Sequence, residues 1–172
     1  DCSSLKSINL SSFNTSSVAD MSNMFNQCCS LVSIPQLDTS SVKSMRNMFN
    51  NCYSLVFIPQ LDTSKVTNMY SVFFGCYSLV SIPQLDTSRA TNISGMVGGC
   101  WALQTLHIKN LKSELSISTS LLTKESLLYI INNESATSAI TITLSSYTYD
   151  KYVNDADIVA ALANHPNVSI AK

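Results

Sequence analysis

The chain has 172 residues, of which 45% are hydrophobic and only 12% are charged, and its net charge is -1. This length fits one domain, and the hydrophobic fraction is sufficient for a continuous core. A nearly neutral chain lacks the basic surface that attracts nucleic acid, and its apolar runs are too short to cross a membrane. We therefore expect no nucleic-acid partner and no membrane span. The abundance of Ser, Thr and Asn favours a location outside the cytosol.

A repeat dominates the first two thirds of the chain. The stretch Cys52–Ser64 reads CYSLVFIPQLDTS, and similar stretches begin at Cys28 and Cys76, 24 residues before and after it. Repeats of this length are typical of stacked units that bury their apolar face against each other. We call one copy a rung and predict about five rungs over residues 1–111. The chain starts at Asp1 within the repeat, so we expect a processed or partial chain.

Each rung is predicted to begin with a strand that carries Leu and Ile on its buried side. The first rung has the pattern Leu5-x-x-Ile8-x-Leu10, and the fifth has Leu103-x-x-Leu106-x-Ile108. Rungs two to four place a proline after the strand residues. Because proline has no N–H, we expect these prolines to end the regular ladder and to form a repeated bend. They are Pro35, Pro59 and Pro83.

The outer segment of each rung is predicted to be a short α-helix or 3-10 helix on the convex side. Its apolar residues recur at the spacing of one helical face; in the second rung they are Val42, Met45, Met48 and Phe49. We interpret the methionines as core residues. Asp38, Asp62 and Asp86 precede these segments and are interpreted as N-caps. A bound calcium ion is the alternative for this aspartate column, although the glycine-rich calcium repeat is absent.

Five of the six cysteines occupy equivalent positions in successive rungs: Cys2, Cys28, Cys52, Cys76 and Cys100. Side chains that lie parallel in neighbouring rungs are poorly aimed for disulfide formation, so we predict a reduced, buried ladder. No Cys/His spacing typical of a metal site occurs. Cys29 stands where other rungs have an aromatic residue and is expected to be more exposed.

After residue 111 the repeat breaks, and we predict a capping region over residues 112–172 that belongs to the same continuous domain. Its predicted elements are a strand at 115–117, a helix at 123–133, a strand at 139–144, a helix at 155–163 and a strand at 167–170. Thr123 or Ser120 is the expected cap of the first helix. Strands and helices that alternate with short links suggest that the parallel sheet continues into this cap.

The repeat motif resembles a known family. The pattern Cys-x-Ser-Leu-x-x-Ile-Pro-x-Leu-Asp-Thr-Ser-x-Val-x-x-Met-x-x-Met-Phe is similar to the BspA-like leucine-rich repeats of bacterial surface proteins, in the variant LDTSxVTxMxxMF. The likeness covers residues 2–111, and the fourth rung departs from it at Ala90, Ile93 and Gly98-Gly99. It implies an α/β fold: a leucine-rich-repeat solenoid with a concave parallel β-sheet, short helical segments on the convex face and a C-terminal α/β cap.

The resemblance also implies a non-catalytic module for adhesion or recognition, extracellular and exposed on a cell or virion surface. Its partner would be a protein or glycan on a host or neighbouring cell. The alternative is a structural component of a larger assembly, such as a phage fibre, whose partners are other subunits.

Two groups of residues are candidates for the binding surface. The inner strip comprises residues predicted to face the concave side: Val32, Ser33, Val56, Phe57, Val80, Ser81, Gln104 and His107. The aromatic column comprises Tyr53, Tyr77 and Trp101. Phe57 is either an interface anchor or packed between Val32 and Val80. The column either contacts a partner or stacks on itself.

Catalysis is not expected. His107 and His165 are the two histidines, and they lie in different parts of the chain. No Ser/His/Asp arrangement or glycine-rich phosphate loop can be recognised, and each carboxylate near the repeat has a capping role. We therefore predict no cofactor, no metal and no enzymatic activity.

Overall fold

The computed structural model describes residues 2–118 and 121–172. Asp1 and the alternative cap Ser120 lie outside the described residues. The elements in chain order are β1 (Ser81–Asp86), β2 (Thr105–Lys109), β3 (Leu115–Ile117), α1 (Lys124–Asn132), β4 (Ile140–Leu144), α2 (Ser146–Tyr152), α3 (Ala156–Asn164) and β5 (Val168–Ala171). The division into residues 1–111 and 112–172 stays a prediction.

The strands form two small parallel sheets. One pairs β1 with β2, and the other has the order β3-β4-β5. In the first sheet Ser81 lies opposite Thr105 and Asp86 opposite Lys109, with an irregular register between Ile82 and Leu85. Pro83 lies within that irregular stretch. The prediction that each proline ends its ladder is therefore wrong in the fourth rung, where β1 continues past Pro83.

The predicted leucine-rich-repeat solenoid is wrong. It required a continuous concave sheet and convex helices, but the structure is a small α/β fold with two separate sheets. The described residues before Ser81 contain turns and isolated bridges instead of strands, and all three described helices lie after residue 123. The expected continuation of one sheet into the cap is wrong as well.

Backbone conformation explains why the outer segments are not helical. In the second rung, Asn47 has φ 54° and Asn51 has φ 60°. Residues in this left-handed region interrupt a right-handed helix. Around Asn47 the backbone closes a tight turn, in which Met48 N–H donates to the Met45 carbonyl at 3.0 Å. The Val, Met and Phe positions thus keep their buried side without forming a helix.

Neighbouring rungs are nevertheless in direct contact. Met45 N–H donates to the Asn68 carbonyl at 2.9 Å and Asn47 N–H to the Tyr70 carbonyl at 2.9 Å. The rings of Phe25, Phe49 and Phe73 stack with centroids 5.5 Å apart at each step. Equivalent residues of consecutive rungs therefore lie next to each other. The columns include the fully buried Leu31, Leu55 and Leu79, and five of the six methionines are buried, whereas Met24 is exposed.

The C-terminal elements were predicted well. The strand at 115–117 coincides with β3, and the other predicted strands and helices match β4, β5, α1 and α3 to within one or two residues. Thr123 is the N-cap of α1, and its side chain accepts from Ser126 N–H. Asp155 caps α3 through the N–H groups of Asp157 and Ile158. Helix α2 was not predicted.

Helix α1 covers the outer side of β2. The Ser126 hydroxyl accepts from Leu106 N–H at 3.1 Å, so the hydroxyl supplies a partner that a further strand would otherwise provide. The Tyr129 ring lies 4.5 Å from the His107 ring, and its hydroxyl donates to Gln84 Oε1 at 2.8 Å. This helix thus closes one end of the surface formed by the rungs.

The cysteine prediction is wrong at the first pair. Cys2 and Cys28 form a disulfide, with Cα atoms 4.7 Å apart, a separation that disulfides accommodate. Cys52, Cys76 and Cys100 are free and buried. Their thiols donate at 3.0–3.1 Å to the carbonyls of Phe25, Phe49 and Phe73, each 27 residues earlier in the chain. Cys29 is half-buried and therefore more exposed than these three, as predicted.

Candidate functional site

The inner strip presents three valines in a row. Val56 N–H donates to the Val32 carbonyl and Val80 N–H to the Val56 carbonyl, each at 3.1 Å. Gln104 N–H continues this line by donating to the Val80 carbonyl at 2.9 Å. All three valine side chains are exposed. The hydrogen bonds fix the valines side by side, so they form one apolar surface.

Phe57 projects from the column beside these valines. It forms a backbone bridge with Ser81, which in turn lies opposite Thr105. Phe57 is 56% exposed, so more than half of this residue is accessible to a partner. A bulky aromatic group beside a small serine is a suitable anchor for a partner.

His107 does not belong to the exposed part of the inner strip. It is half-buried, and its ring lies against Tyr129 of α1. Gln104 is exposed, while its carbonyl accepts from Thr123 N–H at 2.9 Å. Ser33 and Ser81 are half-buried. The accessible part of the strip therefore consists of the valines, Phe57 and Gln104, and the valines and Phe57 form its apolar portion.

The aromatic column stacks on itself. The ring centroids of Tyr53 and Tyr77 are 4.8 Å apart, and those of Tyr77 and Trp101 are 4.6 Å apart. The planes are nearly parallel, so the rings cover each other's faces. Tyr53, Tyr77 and Trp101 are 38%, 40% and 57% exposed, so their outer parts are accessible.

The structure also has a polar groove that was not predicted from the sequence. It has a volume of about 630 Å³ and runs across the second, third and fourth rungs. We define the polar groove by its main lining residues: Gln36, Asp38, Gln60, Asp62, Gln84, Asp86 and Lys109. The repeated sequence PQLDTS was the available signal, but its aspartates were interpreted only as caps. The prediction did not consider that equivalent side chains would form the walls of a groove.

The glutamines of the polar groove link consecutive rungs. Gln36 Nε2 donates to the Gln60 carbonyl at 2.8 Å, and Gln60 Nε2 donates to the Gln84 carbonyl at 2.7 Å. Each amide nitrogen also contacts the carbonyl of the residue that follows it in the chain. Across the described residues, no donor lies within hydrogen-bond distance of Oε1 of Gln36 or Gln60. These two oxygens are therefore available as acceptors.

The aspartates of the polar groove stabilise turns. Asp38 Oδ1 accepts from Ser40 N–H at 3.0 Å, and Asp62 Oδ1 accepts from Ser64 N–H at 2.9 Å. Hydrogen bonds from these serines lower the pKa of both carboxyls. The capping interpretation is thus correct for the backbone contact but wrong about the helix. Both carboxylates are ionised at neutral pH.

Asp86 has more partners than the other two aspartates. Partial burial disfavours its charge, but hydrogen bonds from Asn110, Ser88 and Lys109 lower its pKa to about 2. Lys109 Nζ lies 3.3 Å from Asp86 Oδ2. The negative charge of the groove is therefore balanced at this end and open at Asp38 and Asp62. Within residues 2–118 and 121–172, no cluster of three or more His, Cys, Asp or Glu side chains is placed to hold a metal ion.

Comparison with known proteins identifies the repeat region. Residues 1–113 match the family model described as "Mycoplasma protein of unknown function, DUF285". The chain belongs to the DUF285 family. No curated protein matches this DUF285 chain significantly, and neither does any solved structure. Among its described helices, none has the length and apolar character needed to cross a bilayer.

Proposed function

We propose that this DUF285 chain is a non-catalytic extracellular recognition module that binds a protein or glycan on a host or neighbouring cell surface. The observation that carries the proposal is the exposed apolar surface formed by Phe57 and the three valines of the inner strip. Adjacent exposed apolar side chains on a rigid backbone are typical of interaction sites. The aromatic column provides a second accessible surface for the same partner.

Three further features support an extracellular location. The disulfide between Cys2 and Cys28 is typical of oxidising compartments. The low content of charged residues is consistent with such a location. The motif's resemblance to the BspA-like repeat variant of bacterial surface proteins favours the same interpretation. We propose the cell surface as the location, with a virion surface as the alternative.

A structural role in a larger assembly is the second candidate. Phe13 in the first rung is 67% exposed, and Met24 in the same rung is 40% exposed. These side chains would suit contact with another subunit. Such a role requires a stable contact that buries roughly 1,000 Å² or more. Native mass spectrometry of the intact chain distinguishes the two roles, because a monomer at micromolar concentration contradicts the structural one.

The proposal is tested by exchanging Phe57 for the residue of its sister rungs. We expect Phe57→Ser to reduce binding of the labelled chain to intact cells and to glycan arrays at least tenfold, since it removes the aromatic anchor. Phe74→Ala is the matched control, because Phe74 is 44% exposed but belongs to an outer segment. Equal binding by both variants and the unmodified chain, with unchanged melting temperatures, would contradict the assignment of the inner strip.

A further inference from the structure

We propose that the polar groove is a binding site for a neutral, extended glycan chain that lies along the stack of rungs with about one sugar per rung. The groove is separate from the inner strip and the aromatic column, because none of their residues lines it. The inference rests on the recognition role proposed above and specifies a site and a ligand class for it.

The polar groove repeats the same side chains from rung to rung. Gln36, Gln60 and Gln84 are equivalent residues of consecutive rungs, and the amides of Gln36 and Gln60 each contact the backbone of the next rung. Paired neighbouring backbones lie about 4.8 Å apart, so the same acceptor recurs at that interval. One pyranose ring of an extended polysaccharide has a comparable length. Successive sugars can therefore meet the same contact in successive rungs.

The polar groove offers mainly hydrogen-bond acceptors to a ligand. The available groups are acceptors: Oε1 of Gln36 and Gln60, and Oδ2 of Asp62, none of which has a donor partner in the described part of the chain. Sugar hydroxyls are the complementary donors, and bonds to carboxylates are the stronger ones.

The far end of the groove limits the length of ligand that it holds. Asp86 is already occupied by Lys109 and Asn110, and Gln84 Oε1 accepts from the Tyr129 hydroxyl. The available acceptors thus belong to the second and third rungs, with the fourth rung forming the end wall. With about one sugar per rung, we expect two or three sugars to fill the site.

A basic peptide is the competing occupant, since Asp38 and Asp62 are negative. However, an extended peptide presents side chains to one face about 6.7 Å apart, which does not match the spacing of the rungs. Spacing therefore favours a sugar chain, whose hydroxyl groups can donate to the open carboxylates.

The test is an NMR titration of the intact chain with cello-oligosaccharides of one to six glucose units. Hexalysine and the maltose series, whose chains are coiled, serve as comparison ligands. We expect cello-oligosaccharide affinity to rise with length up to two or three units and then to level off. Shifted resonances should map to the glutamines and aspartates of the polar groove. Binding by hexalysine alone, no oligosaccharide binding, or affinity independent of length would overturn the inference.

Matched variants locate the site. Asp62→Asn replaces one acceptor oxygen with a donor, and we expect it to weaken cello-oligosaccharide binding about fivefold, as expected for loss of a charged hydrogen-bond acceptor. Asp20→Asn is the control, because Asp20 accepts from Ser22 N–H in the same type of turn but does not line the groove. Equal losses in both variants would refute the site.

The two proposals fail separately. Phe57→Ser should leave cello-oligosaccharide affinity unchanged, since Phe57 does not line the polar groove. If oligosaccharides do not bind but Phe57→Ser still reduces binding to cells, the groove inference is wrong and the recognition role stands. If oligosaccharides bind as expected but Phe57→Ser has no effect on cells, the inner strip is wrong and the groove assignment stands.

Discussion

Residues with positive φ determine the path of each rung. The position just before the repeat cysteine has φ values of 61° at Gln27, 60° at Asn51, 74° at Gly75 and 75° at Gly99. Glycine adopts this left-handed conformation without steric cost, whereas other residues are strained there. The fold therefore imposes the same backbone conformation at this position in each rung, whichever residue occupies it.

This conformation predicts opposite effects for two substitutions. Gly75→Ala should lower the free energy of unfolding by at least about 1 kcal/mol, because a Cβ is strained at this φ and would meet the Asn51 side chain. Gln27→Gly should raise it by a few tenths to about 1 kcal/mol, since it relieves the same strain. Urea unfolding followed by circular dichroism measures both. A stabilising Gly75→Ala would contradict the assigned conformation.

Burial controls the chemistry of the free thiols. Desolvation raises the pKa of Cys52 and Cys100 to about 12, and it raises the pKa of Cys76 as well. Since only the thiolate is nucleophilic, iodoacetamide at pH 8 should label Cys29 and leave these three unmodified until the chain unfolds. Mass spectrometry of tryptic peptides shows which cysteines are labelled. Labelling of Cys76 in the folded chain would show that its column is not dry.

The same pKa values determine whether stability rises or falls with pH. The unfolded thiols ionise near pH 9, while the folded ones keep their protons to about pH 12. Their contribution to stability is therefore complete below pH 9 and is lost as the pH rises from about 9 to 12. Cys52→Ala should reduce this loss in urea unfolding at pH 8 and pH 10.5. An unchanged pH dependence would contradict the burial of the thiol.

At the scale of elements, helix α1 acts as the cover of the β1–β2 sheet. Its Ser126 hydroxyl accepts from Leu106 N–H and also contacts the Gln104 carbonyl at 3.4 Å. Ser126 is fully buried. Removing the hydroxyl would leave a buried N–H without a partner, which is costly because water cannot replace the lost bond.

Ser126→Ala should therefore lower the free energy of unfolding by about 1–3 kcal/mol. Ser116→Ala is the control, since Ser116 lies on an exposed face of β3, and it should change stability by less than about 0.5 kcal/mol. Thermal and urea unfolding give both values. Hydrogen exchange at Leu106 adds a local readout, because its N–H should exchange faster in Ser126→Ala. Equal stability of the two variants would contradict the covering role of α1.

Elements with local signals were predictable, and those determined by backbone strain were not. Helices α1 and α3 could be predicted from Thr123 and Asp155, because a cap bonds to N–H groups only a few residues further along the chain. Helix α2 has the sequence SYTYDKY, whose aromatic and β-branched residues do not favour a helix. The outer segments carried a helical pattern, but positive φ at residues such as Asn47 overrode it.

The candidate surfaces were predictable to different degrees. The inner strip followed from the repeat, because Phe57 replaces serine at one position of a regular pattern. The polar groove required knowledge of which side chains become neighbours across rungs, and the Gln60 contact with Gln84 is 24 residues away in sequence. The contact between His107 and Tyr129 could not be predicted from the repeat, because Tyr129 belongs to a helix that lies outside it.

At the scale of the molecule, both proposed sites depend on one arrangement: consecutive rungs lie against each other in register, without forming a continuous sheet. The valines of the inner strip and the glutamines of the polar groove become neighbours only in that register. The stacked rings of Phe25, Phe49 and Phe73 report it directly from the buried core.

The most direct measurement is a ring-to-ring NOE experiment on the intact chain with selectively labelled phenylalanine. The arrangement predicts cross-peaks between Phe25 and Phe49 and between Phe49 and Phe73, whose centroids are 5.5 Å apart. Phe25 and Phe73 are about twice as far apart and should give none. Absence of the two neighbouring cross-peaks, or a direct one between Phe25 and Phe73, would contradict the register on which both sites depend.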